Sequence, residues 1–370
     1  MYAARIALAL AAVLLVAAVG KPAPEIYRLP EWMPPPPRSD GNPPSAAKIE
    51  LGRHLFYDTR LSLDGSMSCD TCHVQSLAFT DGQAVHAGVH GDDGVRNVPS
   101  LANLAYMPTL NWGNPGLREV ERQVLIPLFG DNPVEMGMQG KERELFATLS
   151  ADPVYRELAQ QAFPASGGEW DMEVLTRSLA AFVSNIISFD SPYDRYKRLG
   201  EEDAISAAAK RGEDLFFSER LECSHCHGGA NFTDNFQTSM MPFPETGFHN
   251  TGLYNLDGKG AYPKANPGAR EVTGRDADEG KFRSPSLRNV AVTAPYMHDG
   301  SIATLEEVIR DHYTIGGRAA GGPNGASPLR DPLLTGFTIS DREVADLVAF
   351  LESLTDEGLL TDPAYAPPAH

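Results

Sequence analysis

Apolar side chains recur at helical spacing in two clear stretches of the chain. One stripe consists of Leu175, Leu179, Phe182, Val183, Ile186 and Ile187, and the other of Val344, Leu347, Val348 and Leu351. Ser340-x-x-Glu343 precedes the second stripe, and Thr304-x-x-Glu307 has the same form, so both predict capping boxes that open helices. Few segments alternate between apolar and polar residues as strands do. The pattern therefore predicts a mainly α fold with long loops.

The first twenty residues form a separate pattern that is typical of an export signal. Arg5 supplies a positive charge, Ile6–Val19 is an almost unbroken apolar run, and Ala18-Val19-Gly20 offers small residues for cleavage. We expect cleavage after Gly20 and a periplasmic mature chain. An uncleaved anchor is the alternative, although the run is short for a bilayer span. No later stretch is apolar enough to span a membrane.

The length of the chain indicates how many domains it has, and its charge excludes one class of partner. A chain of 370 residues predicts two domains, which we place at residues 45–190 and 200–370, with a junction at Asp190–Glu202. Residues 21–44 are rich in proline and predict an extended arm, and Gly316–Pro332 predicts a long surface loop. The formal charge of −18 argues against a nucleic-acid partner, because a phosphate backbone would repel it.

The four cysteines fall in two C-x-x-C-H motifs. These are Cys69-Asp70-Thr71-Cys72-His73 and Cys223-Ser224-His225-Cys226-His227. Two thiols at this spacing reach both vinyl groups of one porphyrin, and the adjacent histidine becomes the proximal iron ligand. A redox C-x-x-C pair needs no following histidine, and a zinc site would need both pairs to converge on one metal. The motifs therefore predict two covalently attached c-type haems.

The sequence around the two motifs is repeated. Each half has a Leu-Phe before its motif, a Phe-Thr-Asp after it, and a Pro-Ser-Leu-x-Asn further on. The copies are Leu55-Phe56, Phe79-Thr80-Asp81 and Pro99–Asn103 in the first half, and Leu215-Phe216, Phe232-Thr233-Asp234 and Pro285–Asn289 in the second. The repeat predicts two related haem domains with the same order of elements.

The repeat also predicts that the two irons differ. Nine residues after the last repeated asparagine come Trp112 in one half and His298 in the other, and fifteen residues later come Pro127 and Tyr313. Proline offers iron no donor, whereas a tyrosine oxygen can coordinate. The first haem is therefore predicted to be open and the second closed by Tyr313. Other candidate ligands remain: His312, Met297 or Met136 for the second iron, and His86 or His90 for the first.

These motifs together resemble the bacterial di-haem cytochrome c peroxidase and MauG family from about Ala47 to Leu354. The resemblance is carried by both C-x-x-C-H motifs, Trp112, the run from Gln123 to Gly137, and the run from Ser284 to Gly300. It implies two cytochrome c-like helical domains that pack about a pseudo-twofold interface. It also implies a peroxidase-type oxidoreductase that uses hydrogen peroxide.

The resemblance assigns roles to individual residues. The distal pocket of the first haem is implied to contain residues that match Gln123, Pro127 and Glu135. In this pocket Glu135 would be the acid–base group and Gln123 a polar residue that assists it. Trp112 matches the tryptophan that couples the two haems electronically. A calcium ion is implied at the domain interface, at positions that match Asn97, Thr293 and Pro295.

The family contains branches with different electron donors. Peroxidases close the second haem with methionine and take electrons from small cytochromes or copper proteins. MauG-type enzymes use tyrosine there, store two oxidising equivalents across both irons and oxidise residues of a partner protein. Tyr313 followed by Thr314-Ile315-Gly316-Gly317 resembles the MauG side. The Gln123–Glu135 interval is two residues longer than in either branch and resembles the MbnH-like branch, whose members convert a partner's tryptophan to kynurenine.

Three functions follow from these observations. The leading hypothesis is a peroxide-dependent, MauG/MbnH-like enzyme that oxidises a residue of a partner protein. The alternative is a di-haem cytochrome c peroxidase that reduces hydrogen peroxide with electrons from a small cytochrome or copper protein. The third is an electron carrier with both irons six-coordinate, against which the open position at Pro127 argues.

Overall fold

The computed structural model describes residues 26–37 and 41–369. The predicted export signal at residues 1–20 lies outside these residues, as do the first residues of the predicted arm. The α-helices are Ala46–Phe56, Cys69–Cys72, Val120–Gln123, Leu125–Phe129, Glu142–Ala151, Pro153–Ala162, Met172–Ser184, Pro192–Leu199, Ala207–Phe216, Cys223–Cys226, Arg270–Thr273, Leu305–Glu307, Asp341–Glu352 and Glu357–Thr361.

Short turns and one small sheet complete the secondary structure. The 3₁₀ turns are Thr59–Leu61, Gln75–Leu77, Leu104–Tyr106, Pro164–Ser166, Asp276–Asp278, Val290–Val292 and Arg318–Gly321. Two two-residue strands, Phe248–His249 and Phe282–Arg283, pair antiparallel. The prediction of a mainly helical fold with little strand is confirmed.

The first core is built around two crossed helices. Ala46–Phe56 packs on Met172–Ser184, and the crossing is so close that a Cβ on Gly52 would lie 2.0 Å from the Ser178 carbonyl oxygen. Phe56 and Phe182 meet in the core with ring centroids 5.1 Å apart. The helix Met172–Ser184, which carries the first apolar stripe, therefore needs a residue without a side chain opposite it. Ile186 and Ile187 are buried as predicted, but they lie beyond the end of the helix.

The second core repeats this arrangement. Ala207–Phe216 packs on Asp341–Glu352, and a Cβ on Gly212 would lie 1.9 Å from the Asp346 carbonyl oxygen. Phe216 and Phe350 have ring centroids 5.1 Å apart. The two crossings thus use the same residue types at corresponding places, as a repeat would require. The pseudo-twofold interface and the limits of the two domains stay predictions.

The predicted junction contains a helix rather than a plain linker. Pro192–Leu199 begins at a capping box. The Ser191 hydroxyl accepts a hydrogen bond from the Asp194 N–H, and the Asp194 carboxylate accepts one from the Ser191 N–H. Its Tyr193 is buried and belongs to the second core. Asp194 forms a buried ion pair with Arg288, with N–O distances of 2.7 and 2.8 Å. This segment is therefore firmly packed.

Hydrogen bonds between buried asparagines join the two halves. The Asn103 amide donates to the Ser188 carbonyl and to the Asn231 side-chain oxygen, at 2.9 and 3.0 Å. Asn289 of the second repeat donates to the Ser188 hydroxyl at 2.9 Å. Both asparagines have a left-handed backbone, with φ of 59° and 62°, a conformation that asparagine tolerates better than most residues. This explains why the repeated turn ends in asparagine.

The remaining predicted segments are more buried than expected. In the arm, Trp32 packs edge to face on Phe189, with ring centroids 5.6 Å apart. The predicted surface loop Gly316–Pro332 is exposed in its middle, but Gly316, Gly317 and Ser327 are buried, so the prediction is wrong at these positions. Arg330 donates to the Gly316 carbonyl at 2.9 Å and draws the loop inward. Across residues 26–37 and 41–369, no helix has the length and apolarity that a bilayer span requires.

Candidate functional site

Both C-x-x-C-H motifs form one helical turn followed by an irregular residue. The turns are Cys69–Cys72 and Cys223–Cys226, and each histidine lies at the end of its turn. All four cysteines are free of disulfides and partly buried. The thiols of each pair thus remain available for one porphyrin, as the spacing predicts.

The two proximal histidines have the same orientation. His73 Nδ1 lies 2.8 Å from the Phe79 carbonyl oxygen, and His227 Nδ1 lies 3.2 Å from that of Phe232. A carbonyl only accepts, so Nδ1 must carry the proton and Nε2 is left free to bind iron. Burial lowers the pKa of both histidines, which favours the neutral form that iron requires.

The phenylalanines that receive these bonds are held in an unusual backbone conformation. Phe79 and Phe232 have φ of 63° and 50°, although this region costs a bulky residue free energy. Both rings are buried in their cores, at 0% and 2% exposure. Core packing thus holds the two carbonyl groups toward the histidines, and the Phe-Thr-Asp repeat has a structural role.

A cavity of about 240 Å³ lies against the second motif. Its wall includes Cys223, Cys226, His227 and Tyr313, together with apolar residues from several elements. The apolar part of the wall is contributed by Phe216, Leu221, Leu287, Val290, Leu305, Val308, Ile309, Leu347 and Leu351. Thiols, a histidine with a free Nε2 and an apolar wall are what a c-type haem requires, so these residues fit the group.

Tyr313 reaches this cavity from a distorted helix. The capping box at Thr304 opens Leu305–Glu307, which continues as a π-helix over Val308–Tyr313. Burial, followed by the nearby thiols of Cys226 and Cys223, raises the pKa of Tyr313 above its ordinary value. π-Helical turns are frequent at functional sites. The sequence predicted the cap but not the π turn.

His312 is placed differently from its neighbour. Its side chain is fully buried at 0% exposure and is absent from the wall of the cavity. Its Nδ1 accepts a hydrogen bond from the Arg318 backbone N–H at 3.0 Å. The neutral ring must therefore carry its proton on Nε2. Burial, with the charge of Arg318, lowers the pKa of His312 to about 4, so the ring is neutral at pH 7.

The distal residues of the first half come together in a compact turn. Val120–Gln123 and Leu125–Phe129 are successive short helices, and the Met136 N–H donates to the Pro127 carbonyl at 2.9 Å. This bond places Glu135 beside Pro127, and Gln123 lies one helical turn before it. The side-chain oxygen Oε1 of Gln123 is buried without a hydrogen-bond partner in the described chain. Such an atom is costly unless a bound group or water satisfies it.

Glu135 lies within electrostatic range of the first motif. Burial raises the pKa of Cys72 to about 12, and the carboxylates of Glu135 and Asp81 contribute to the increase. Burial also raises the pKa of Glu135 itself, and the charge of His86 partly offsets this. A carboxylate with a raised pKa accepts a proton more readily than that of an ordinary glutamate.

Trp112 lies at the border of the second cavity. It lines the wall together with His298, its counterpart in the repeat. Its Nε1–H donates to the Asn97 carbonyl at 2.8 Å, and the Arg283 guanidinium lies 5.2 Å from its ring centroid. His298 stacks on Phe282 with centroids 3.6 Å apart. Burial lowers the pKa of His298 to about 4, so this ring too is neutral.

The three residues assigned to calcium line the same cavity. Asn97 comes from the first half, and Thr293 and Pro295 come from the second. The Asn97 N–H donates to the His298 carbonyl at 2.9 Å and so joins the two segments. Asparagine, threonine and backbone carbonyls provide the oxygen atoms that calcium prefers.

Polar residues near each motif form hydrogen bonds that no sequence pattern indicated. His249 lies between Asp234 and Asp331, at 2.6 and 2.8 Å, and the Asp234 hydrogen bond is the largest of the effects that raise its pKa to about 11. In the first half, Asp81 holds His86 Nδ1 at 2.9 Å. The repeated Phe-Thr-Asp could have indicated that both aspartates bind a histidine. The two histidines could not be found from the repeat, because they lie at different distances from their aspartates along the chain.

Comparison with known proteins extends this picture. Residues 46–203 match the family model described as di-haem cytochrome c peroxidase. The chain is 34% identical to the methylamine utilization protein MauG of Methylorubrum extorquens, over 90% of this chain and 84% of that one. It is also 34% identical to the cytochrome-c peroxidase IdrP1 of Pseudomonas sp. (strain SCT), over 89% of this chain and 86% of that one.

A solved structure is similar over almost the whole chain. It is described as a MauG-like protein associated with microbial copper homeostasis, and it has a TM-score of 0.88 and 47% sequence identity. The match covers 92% of this chain and 99% of that one. Family, motifs and fold agree on two haem groups and on oxidation by peroxide. The chain belongs to the di-haem cytochrome c peroxidase and MauG family of oxidoreductases.

Proposed function

We propose that this protein is a periplasmic, peroxide-dependent enzyme that oxidises a side chain of a partner protein, as MauG/MbnH-like enzymes do. The observation that carries the proposal is an asymmetry between the halves. Pro127 and Tyr313 occupy corresponding places in the repeat, and Tyr313 lines the cavity beside His227. With a haem in each half, one iron would keep an open face and the phenol oxygen of Tyr313 would close the other.

Cys69, Cys72 and His73 would hold the haem at which peroxide reacts. A haem iron with an open face supplies the oxidising chemistry when peroxide is bound. Glu135 accepts the first proton of peroxide and returns it to the departing oxygen, for which its raised pKa suits it. The unpartnered Gln123 Oε1 accepts a hydrogen bond from the peroxide and orients it.

Tyr313, rather than His312, closes the second iron held by His227. The His312 ring carries its proton on Nε2, because Nδ1 is occupied by the Arg318 N–H. Binding iron through Nε2 would require this ring to lose its last proton, or to move it to Nδ1 and break the bond from Arg318. Tyr313 lines the cavity and His312 does not, so Tyr313 is the residue placed to bind the iron once its phenol has lost a proton. Met297 also lines the cavity, but it does not lie at the repeated position.

Trp112 connects the two sites. Its indole is 8% exposed and lines the second cavity, and it is bonded to Asn97 from the segment that follows the first motif. A buried indole can pass an electron between redox centres without leaving its place. Asn97, Thr293 and Pro295 would hold the calcium ion, and it would join the segments that carry Trp112 and the second haem site.

The partner's oxidised side chain is proposed to be tryptophan. The support is the 47% identity with the MauG-like protein associated with microbial copper homeostasis, together with the long Gln123–Glu135 interval. The formal net charge of −18 suits a partner with a basic docking face. The partner gives up electrons at the surface and does not enter the haem pocket.

The test is to add peroxide to the protein together with the product of a neighbouring gene and to analyse both by mass spectrometry. We expect a stoichiometric mass change on one tryptophan of the partner. Tyr313→Phe should abolish it, whereas His312→Gln should retain most of it. An unmodified partner with the wild-type enzyme, or equal loss in both variants, would contradict the proposal.

A cytochrome c peroxidase is the second candidate, and the 34% identity with IdrP1 favours it. This function predicts rapid oxidation of a reduced small cytochrome by peroxide, but only after partial reduction of the enzyme. It also predicts methionine or histidine at the second iron. Steady-state oxidation of a reduced cytochrome c, compared with partner modification at equal peroxide, separates the two functions.

A further inference from the structure

Arg283 carries a buried charge that the described chain does not neutralise. Its side chain is 3% exposed, and no carboxylate of the described residues lies within ion-pair distance of it. Burial alone lowers the pKa of Arg283 to about 10. Arg288 is equally buried but is paired with both oxygens of Asp194. A buried guanidinium without a counter-ion is costly, so Arg283 requires an anion from elsewhere.

The backbone fixes the direction of this guanidinium. The Arg283 N–H donates to the Trp112 carbonyl at 3.0 Å, and its side-chain Nε donates to the Leu110 carbonyl at 3.2 Å. Its Nη1 atom is buried and has no hydrogen-bond partner in the described chain. Nη1 of Arg283 is therefore a hydrogen-bond donor that is held in a fixed position and has no acceptor in the described chain.

Arg283 lines the cavity that contains the second haem motif. Cys223, Cys226 and His227 belong to the same wall. The Arg283 guanidinium lies over the Trp112 ring and its Nε donates to the Leu110 carbonyl, both in the first half, whereas Cys223 packs against the second core. Arg283 therefore belongs to the part of the wall that meets the first half, away from the attachment edge. The propionates of a porphyrin leave from the edge opposite its two thioether bonds. A propionate is thus the anion that this part of the wall would meet.

We propose that Arg283 binds a propionate of the haem attached to Cys223 and Cys226. The guanidinium offers charge-assisted N–H donors in a planar fork that matches a carboxylate. The proposal rests on the attached haem alone and not on which molecule the enzyme oxidises.

The same contact has a consequence for Trp112. The Arg283 guanidinium lies over the Trp112 ring at 5.2 Å from its centroid, an attractive contact while the ring is neutral. A bare cation in this place would oppose removal of an electron from the indole. A bound propionate would offset that charge, so Arg283 could contact the Trp112 ring without opposing its oxidation.

The test measures the reduction potential of the second haem, without peroxide, by a redox titration that follows its low-spin signal. Arg283→Gln removes the charge and should lower this potential, because an uncompensated propionate stabilises the ferric iron. Arg283→Lys keeps the charge and should keep the potential near that of the wild type. Arg198→Gln is the matched control, because Arg198 lies over Trp32 at 4.9 Å but is exposed.

An unchanged potential in Arg283→Gln, relative to Arg198→Gln, would overturn the proposal. If Arg283→Gln does not accumulate with both haems, resonance Raman spectroscopy of the wild type and Arg283→Lys decides. The propionate bending mode of the second haem should differ between them, because an ammonium replaces a bidentate fork. Identical modes would overturn the proposal. Neither measurement involves a partner protein, so either can fail while the proposed function stands.

Discussion

The side chain of Glu135 is half-buried near Cys72 of the first motif, and one substitution can isolate its role in proton transfer. Glu135→Gln keeps the size of the side chain but cannot carry a proton between the peroxide oxygens. We expect the rate of reaction with peroxide to fall by about 10²- to 10⁴-fold, while the resting absorption spectrum stays unchanged. Stopped-flow absorption measures this rate.

The control for that substitution is Glu144→Gln. Glu144 is an exposed carboxylate in the helix Glu142–Ala151, and it pairs with Lys141, the residue just before that helix. This variant should react with peroxide at the wild-type rate. Equal rates for Glu135→Gln and the wild type would remove Glu135 from the mechanism.

The pH dependence follows from the same residue. Burial raises the pKa of Glu135 above the ordinary value of a glutamate, and the ionised form is the one that accepts the proton from peroxide. The reaction should therefore slow as pH falls, and the midpoint should lie above that of an exposed glutamate. The rate constant for peroxide, measured across pH, tests the sign. A rate that is flat or rises toward acid would contradict it.

Individual functional residues could be predicted from the sequence only where a ligand requires a fixed spacing between the residues that bind it. The C-x-x-C-H motifs locate His73 and His227, since a porphyrin dictates the distance between their ligands. Arg283 could not be found in this way, because its importance comes from lacking a carboxylate neighbour in three dimensions. The same holds for His249, whose two aspartates are 15 and 82 residues away in sequence.

The helix that carries Tyr313 depends on one capping box. Thr304→Ala removes the side-chain oxygen that accepts the Glu307 N–H and should cost about 1 kcal/mol of unfolding free energy. Because Val308–Tyr313 follows directly as a π-helix, we also expect the spectrum of the second haem to change. Denaturant titration and the low-spin electron paramagnetic resonance signal measure the two effects.

Ser340→Ala is the matched control for this prediction. Ser340 caps Asp341–Glu352 through an equivalent box, and this helix packs on Ala207–Phe216. Its loss should cost a similar free energy but leave the signal of the second haem unchanged. A spectral change of equal size in both variants would show that the cap does not position Tyr313.

Helices could be predicted from the sequence where a capping box or an apolar stripe determines them. The two capping boxes and the apolar stripes depend on residues within one or two turns, and the structure contains helices at all of these places. The π turn at Val308–Tyr313 was not predictable, because its extra residue is accommodated by packing around the cavity. The burial of Gly316 and Gly317 also depends on a distant residue, Arg330.

Across the whole molecule, the proposed calcium site would join the two halves. Asn97 belongs to one half, and Thr293 and Pro295 belong to the other. Removal of calcium with a chelator should lower the melting temperature and slow electron exchange between the haems, because a ligand that binds only the folded state stabilises it. Added calcium should restore both. Calorimetry that shows no change on chelation would exclude calcium from this site.

The internal repeat made the overall arrangement accessible from sequence, because each half could be compared with the other. Gly52 and Gly212 permit the same close crossing in both cores, and Asn103 and Asn289 meet at Ser188. The repeat did not reveal these contacts between halves, since they depend on how the copies pack. Partner choice lies at the same scale and is set by a surface that no motif marks.

The central claim is that one iron is open and the other is closed by Tyr313. Magnetic circular dichroism and electron paramagnetic resonance of the resting ferric protein at neutral pH test it directly. We predict one high-spin haem and one haem with the charge-transfer band of tyrosinate ligation, which disappears in Tyr313→Phe. Two permanently low-spin haems, before and after partial reduction, would contradict the claim and leave only an electron carrier.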